Sequence, residues 1–98
     1  ESGVAVELDA VSVPALDGAG TLLEAGDGIS GGTRRNAQWA DGFTSFASSV
    51  PAWRRWLLAD ATTSGGLVVA LEAAAAAGVA GTVIGRVVHG RPGTIRVQ

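Results

Sequence analysis

The apolar residues of this chain arrive in short blocks, each closed by a polar segment that contains glycine or proline. Blocks of that kind make strands and short helices rather than one long element. Val4-Ala5-Val6-Glu7-Leu8-Asp9 alternates apolar with small or acidic residues and predicts a strand. Pro14 and Gly18 punctuate the chain beyond it. Leu16 to Ala25 then carries Leu16, Ala19, Leu22 and Leu23 at near-helical spacing, with Gly26 as the stop. The stretch from Gly26 to Asn36 is glycine-rich and polar and predicts a loop. Ser48 and Ser49 ahead of Pro51 predict a helix start, with Trp53, Trp56 and Leu57 on one buried face and Arg54 and Arg55 outward. A second polar, glycine-ended loop, Asp60 to Gly66, leads into Leu67-Val68-Val69-Ala70-Leu71, a run typical of a strand buried on both faces. Glu72 to Ala77 is alanine-rich and helix-prone. Thr82 to Val88 predicts a strand around Gly85, and Thr94 to Val97 a last one, paired with it as a hairpin across Gly90–Gly93. The expectation is one α+β domain over residues 1–98, with a mixed, largely antiparallel sheet and covering helices.

Composition removes several function classes. At 98 residues, 47% hydrophobic and 16% charged, the chain has the balance of a folded domain with room for one core. No apolar run reaches the ~18 residues that a membrane span needs. No charged-then-apolar leader opens the sequence, and its start at Glu1 fits a fragment or a trimmed chain. Without cysteine there are no disulfides, zinc–thiolate sites or cysteine nucleophiles. Without lysine there is no phosphate loop of the lysine-dependent kind, because all seven basic residues are arginines. A net charge of −2 argues against nucleic acid as a partner. The single histidine, His89, precedes the closing turn and reads as a surface residue. Trp39 reads as a packing residue ahead of a pocket-lining one.

Two segments carry what chemical signal there is. Gly31-Gly32-Thr33-Arg34-Arg35-Asn36 is, by turn chemistry alone, a tight connection with glycines for positive φ and Thr and Asn as caps. Behind that stands a functional reading, in which such glycines let a backbone approach a ligand, and Thr33, Asn36 and an arginine offer donors to phosphate oxygens. Asp60-Ala61-Thr62-Thr63-Ser64-Gly65-Gly66 has the same two readings, a helix-to-strand link or a hydroxyl-lined concavity.

Taken together and in order, the two segments resemble selenophosphate synthetases. That family has a Gly-Gly-Thr-x-x-Asn motif followed, one helix later, by Asp-x-x-Thr-Ser-Gly-Gly-Leu, which stand here as Gly31–Asn36 and Asp60–Leu67. The resemblance continues through Val6–Asp9, Pro14 and Leu16–Gly28 upstream and Val83–Val87 downstream. Two departures stand out: Ala61 and Thr62 replace the Pro-Gln usual in the second motif, and the Leu71–Thr82 connection is shorter than the family's helical crossover.

The resemblance implies a C-terminal domain like that of aminoimidazole ribonucleotide synthetase-like proteins, within a longer enzyme that makes selenophosphate, AMP and phosphate from ATP, selenide and water. It implies ATP and Mg2+ as cofactors of the parent enzyme and a missing N-terminal domain of the same chain as partner. It further implies a homodimeric parent and a cytoplasmic location, with neither membrane nor nucleic acid involved. Gly31, Gly32, Thr33, Arg35, Asn36, Asp60, Thr63, Ser64, Gly65 and Gly66 would wall the cleft as binding residues, Asp60 mainly by orienting its own loop. No catalytic or metal-ligating residue maps onto this chain. The alternative is a non-catalytic nucleotide- or phosphate-binding module, or a domain of another ATP-using member of the same superfamily, such as an aminoimidazole ribonucleotide synthetase or a thiamine phosphate kinase.

Overall fold

The computed structural model describes residues 3–98. Four strands and four helices follow one another as β1 (Ala5–Leu8), α1 (Ala19–Ala25), α2 (Gly31–Ala40), β2 (Thr44–Phe46), α3 (Ala52–Leu58), α4 (Ala73–Ala76), β3 (Gly85–Val88) and β4 (Ile95–Val97). The strands form one sheet in the order β2-β4-β1-β3. The expected α+β class and mixed sheet are present, but "largely antiparallel" is corrected. β4 runs parallel to both β1 and β2, and only the β1–β3 pair is antiparallel.

The reason lies in where the last strand goes. Instead of folding back on β3 as a hairpin, the chain turns through Arg91–Gly93 past the start of β1, where the Gly93 N–H donates to the Val4 carbonyl at 2.8 Å. Gly93 sits at φ 77°, a left-handed value that favours glycine, so the reversal is cheap at that residue. β4 then inserts between β1 and β2, with Val6 opposite Ile95 and Leu8 opposite Val97. Insertion gives β4 a partner on both edges, whereas a hairpin would have given it one.

Val97, 1% exposed, becomes the centre of the core with Ala10 and Val50, against Leu8, Phe46, Ala47, Leu58 and Ile95. Ala5, Ala10, Leu23, Val50 and Val97 are the buried hydrophobic residues among those described. Three valine- or leucine-sized side chains and two alanines make a thin core, and a chain of this size then has little stability to lose.

The helices follow local chemistry. α1 begins after Gly18 and ends at Gly26, where φ is 81° and the Gly26 N–H closes on the Leu23 carbonyl. α3 starts after Pro51 as expected and packs against α1. Its Trp53, Trp56 and Leu57 are half-buried, but Arg54 does not simply point outward: it is half-buried, lies over the Trp53 ring at 4.4 Å and donates to the Val13 carbonyl. After β1, Asp9 accepts from Ser12 Oγ at 2.6 Å and from the Val11 N–H at 3.2 Å, shaping one turn of 3-10 helix at Ala10–Ser12. The Ser12 hydroxyl first, with these backbone N–H groups and the Arg54 charge, holds the Asp9 carboxyl below the usual carboxylate range.

Two further expectations are overturned. Gly31–Asn36 is not loop but the first two turns of α2. Leu67–Leu71 is not a buried strand: it lies outside the sheet, with Leu67 94%, Val68 80% and Val69 65% exposed. Its apolar pattern satisfies a strand's local preference, but the four-stranded sheet is built without it. The short Leu71–Thr82 connection accordingly spans no crossover, and it contains the single turn α4. β2 was not legible in advance, because Thr44-Ser45-Phe46 is too short to show alternation.

Candidate functional site

α2 begins where Ser30 caps it. The Ser30 hydroxyl accepts from the Thr33 N–H at 3.1 Å and meets Thr33 Oγ1 at 3.0 Å. That single cap explains why a sequence opening on two glycines is helical: the fixed N–H anchors the first turn, and the residues from Arg34 to Ala40 extend it. The signal was present as Ser30 three residues before Thr33, but the glycines outweighed it in a reading by turn chemistry.

The structure brings the two motifs together through Thr33. This side chain is fully buried, and its hydroxyl donates to Asp60 Oδ1 at 2.8 Å while accepting from the Ala61 N–H at 3.3 Å. Asp60 Oδ2 accepts in turn from the Thr62 hydroxyl at 3.3 Å. One turn along α2, Asn36 Nδ2 donates to the Ala59 carbonyl at 3.1 Å. Thr33 and Asn36 thus fasten the end of α3 to the start of α2. Thr33 presents no surface to a ligand, and the Asn36 amide nitrogen is already engaged.

Gly32 sits in the same joint, where a Cβ would stand 2.9 Å from the Ala61 methyl. Gly31 is different, since a Cβ there would meet only the far end of the Arg35 side chain at 3.4 Å. The pair makes a matched test. Gly31→Ala is expected to stabilise the chain by about 0.5–1 kcal/mol through helix propensity. Gly32→Ala is expected to lose that gain and destabilise by about 1–2 kcal/mol through overpacking. Denaturant midpoints of the two variants give the comparison, and equal midpoints would refute the tight joint.

Arg35 folds back so that its guanidinium lies over the first turn of α2, as the Gly31 approach shows. The remaining arginines near the site are occupied: Arg34 lies 5.7 Å from the Trp56 ring and Arg55 lies 5.1 Å from that of Phe46. Thr63, Ser64, Gly65 and Gly66 follow the joint as an exposed segment. Beside the joint runs a groove of about 530 Å³ between α2, the end of α3 and the sheet, lined by Asn36, Trp39, Phe43, Phe46, Trp56, Asp60, Ile95 and others. Trp39 is 75% exposed and meets Phe43 edge-on at 4.7 Å, so it lines this groove rather than packing in the core. His89 is exposed.

Both Asp60 oxygens accept hydroxyl hydrogen bonds, and no three His, Cys, Asp or Glu residues cluster as metal ligands among the described residues. These residues do not fit a magnesium ion. Among the described residues no helix is long and apolar enough to cross a membrane.

No family model matches the chain, and no solved structure matches it. Among curated proteins it is similar to a selenide, water dikinase of Myxococcus xanthus strain DK1622, with 36% identity over 95 residues. The match covers 88% of this chain and 27% of that protein's length. The resemblance carried by the Gly31–Asn36 and Asp60–Leu67 motifs is thereby borne out.

Proposed function

We infer from this kinship that the chain, a sequence relative of selenide, water dikinase over most of its length, is the C-terminal domain of such an enzyme. In that reading it walls the cleft in which a nucleotide's phosphates react, and the rest of the parent supplies the reacting groups, the magnesium site and the other wall. The observation that supports the reading most directly is the Thr33–Asp60 hydrogen bond. It fixes the first turn of α2 beside the start of the Thr63–Gly66 segment, so the two motifs form one surface.

That surface suits an anionic oxygen. The first N–H groups of a helix have no partner within it and carry the positive end of its dipole. Gly31 is exposed and carries no side chain to cover them, while Gly32 meets the Ala61 methyl on its Cα side. Arg35 places a guanidinium over the same turn, which is an unfavourable place for a cation unless an anion lies between. A phosphate oxygen held by the Gly31 and Gly32 amides and the Arg35 guanidinium would satisfy both. Thr63 and Ser64 hydroxyls and the Gly65–Gly66 backbone would close on it from the other side. Thr33, Asn36 and Asp60 belong to this site as positioning residues, because their hydrogen-bonding groups hold the joint.

Phosphorus NMR of the full-length parent with ATP, magnesium and selenide under anaerobic conditions tests the reading, with Arg35→Gln beside it. Selenophosphate and AMP are expected from the parent. Arg35→Gln is expected to lose about tenfold or more in turnover while staying folded, the worth of one charge-assisted hydrogen bond of ~1.5–3 kcal/mol. ADP as product would place the parent in another kinase-like family, and untouched ATP would leave a phosphate-binding module.

A further inference from the structure

Leu67–Leu71 is five apolar residues in a row, and all are exposed. Such a run in water forgoes about 25 cal/mol for each Å² it could bury. The groove beside the joint has the opposite problem. It is a concavity of about 530 Å³ walled by Trp39, Phe43, Phe46, Trp56 and Ile95, and no side chain of the described residues fills it. Its floor reaches β2, which is an edge strand of the sheet with its outer backbone groups unpaired by any described strand. Asp60 lines the groove and stands seven residues before Leu67. Seven extended residues reach roughly 23–25 Å, and the link contains Gly65 and Gly66.

We propose that Leu67–Leu71 is a strap that closes on the free edge of β2 as a fifth strand, seating Leu67 and Val69 in the groove. The register comes from the pleat. Thr44 and Phe46 line the groove, and Ser45 faces the other way and is exposed. Side chains opposite one another across a strand pair share a face. Val68 must therefore stand opposite Ser45 for Leu67 and Val69 to point inward, whichever direction the strap runs. Closure pulls Thr63–Gly66 taut from the Asp60 end of the groove. A molecule that occupies the groove displaces the strap and releases that segment, so groove occupancy sets the position of Thr63–Gly66. None of this depends on the activity of the parent.

The 98-residue chain has no cysteine, so introduced pairs report cleanly. Ser45→Cys/Val68→Cys and Ser45→Cys/Val69→Cys change only exposed positions and are oxidised side by side. The first pair is expected to form an intramolecular disulfide at least about fivefold faster than the second. Its rate should be unchanged on tenfold dilution, because the tethered partner is present at about millimolar effective concentration. Adding Leu67→Asp to the first pair should bring its rate down to that of the second. Equal rates for the two pairs would mean random collision of a loose segment and would overturn the strap. A link found only between two copies and lost on dilution would overturn it too, as would no link at all.

Discussion

Gly85→Ala should lower the melting temperature of this chain by about 15 °C, the largest effect of any single methyl group added to it. A Cβ at this position would overlap the Glu7 carbonyl oxygen and stand 2.9 Å from Leu8 Cδ2. The first neighbour is backbone and has no rotamer to escape into. To admit the methyl, β3 must withdraw from β1, where Leu8 faces Gly85 and Glu7 faces Arg86. The Asp9 N–H would then lose the Ile84 carbonyl at 2.8 Å. The Arg86–Glu7 pair at 2.9 Å would separate as well, but with Arg86 73% exposed that contributes little. Overpacking of this kind costs about 3 kcal/mol, and each kcal/mol moves the midpoint of a domain this size by roughly 4–8 °C. Gly81→Ala is the control, since a Cβ there meets nothing within 4 Å. Thermal unfolding followed by circular dichroism, with amide exchange at Val6 to Leu8, gives the result. If the two variants melt together, the close approach of β3 to β1 is wrong.

Thr33→Val should cost about 2 kcal/mol although it removes no volume. The valine keeps the buried shape but takes away a hydroxyl that serves Asp60, Ser30 and the Ala61 N–H at once. Three hydrogen bonds go with it, each contributing about 0.5–1.5 kcal/mol on balance. Asp60, Ser30 and Ala61 are themselves exposed, so water replaces part of what is lost. Thr33→Ser should retain most of the stability, and urea midpoints of the two variants separate the hydroxyl from the methyl. A Thr33→Val midpoint equal to that of the natural chain would mean that the joint is not what holds the two motifs together. On the proposed function, the same variant should impair the parent's turnover through the displaced Gly31–Gly32 turn, whereas Arg35→Gln should impair it with the fold intact.

The contrast between these residues shows how the site could be read from sequence and how it could not. The two motifs were visible as residue types at a spacing, and the family resemblance rested on them. Their division of labour was not. Thr33 and Asn36 looked like donors for a ligand, and their donors prove to be turned inward to Asp60 and Ala59. Hydroxyl and amide groups are equally good at either task, so only the distance to a partner 23 or 27 residues away decides between them. Asp60, expected mainly to orient its own loop, bonds to Thr62 within that loop and to Thr33 across the joint.

What the sequence by itself determined is what depends on near neighbours. β1, the stop of α1 at Gly26, the start of α3 after Pro51 and the alanine-rich turn of α4 each arise from residues within one or two turns of chain. The helix at Gly31–Ala40 was equally local through its Ser30 cap and was obscured by the glycines. Tertiary structure alone decided which strands pair. Thr94–Val97 carries the same alternation whether it forms a hairpin with β3 or lies between β1 and β2, and Leu67–Leu71 has the apolar pattern of a strand that finds no place in the sheet. A strand's side chains specify which face is apolar, but its backbone groups bond to any edge. The choice among edges rests on the summed burial of residues distant in sequence, here Val97 against Ala10 and Val50.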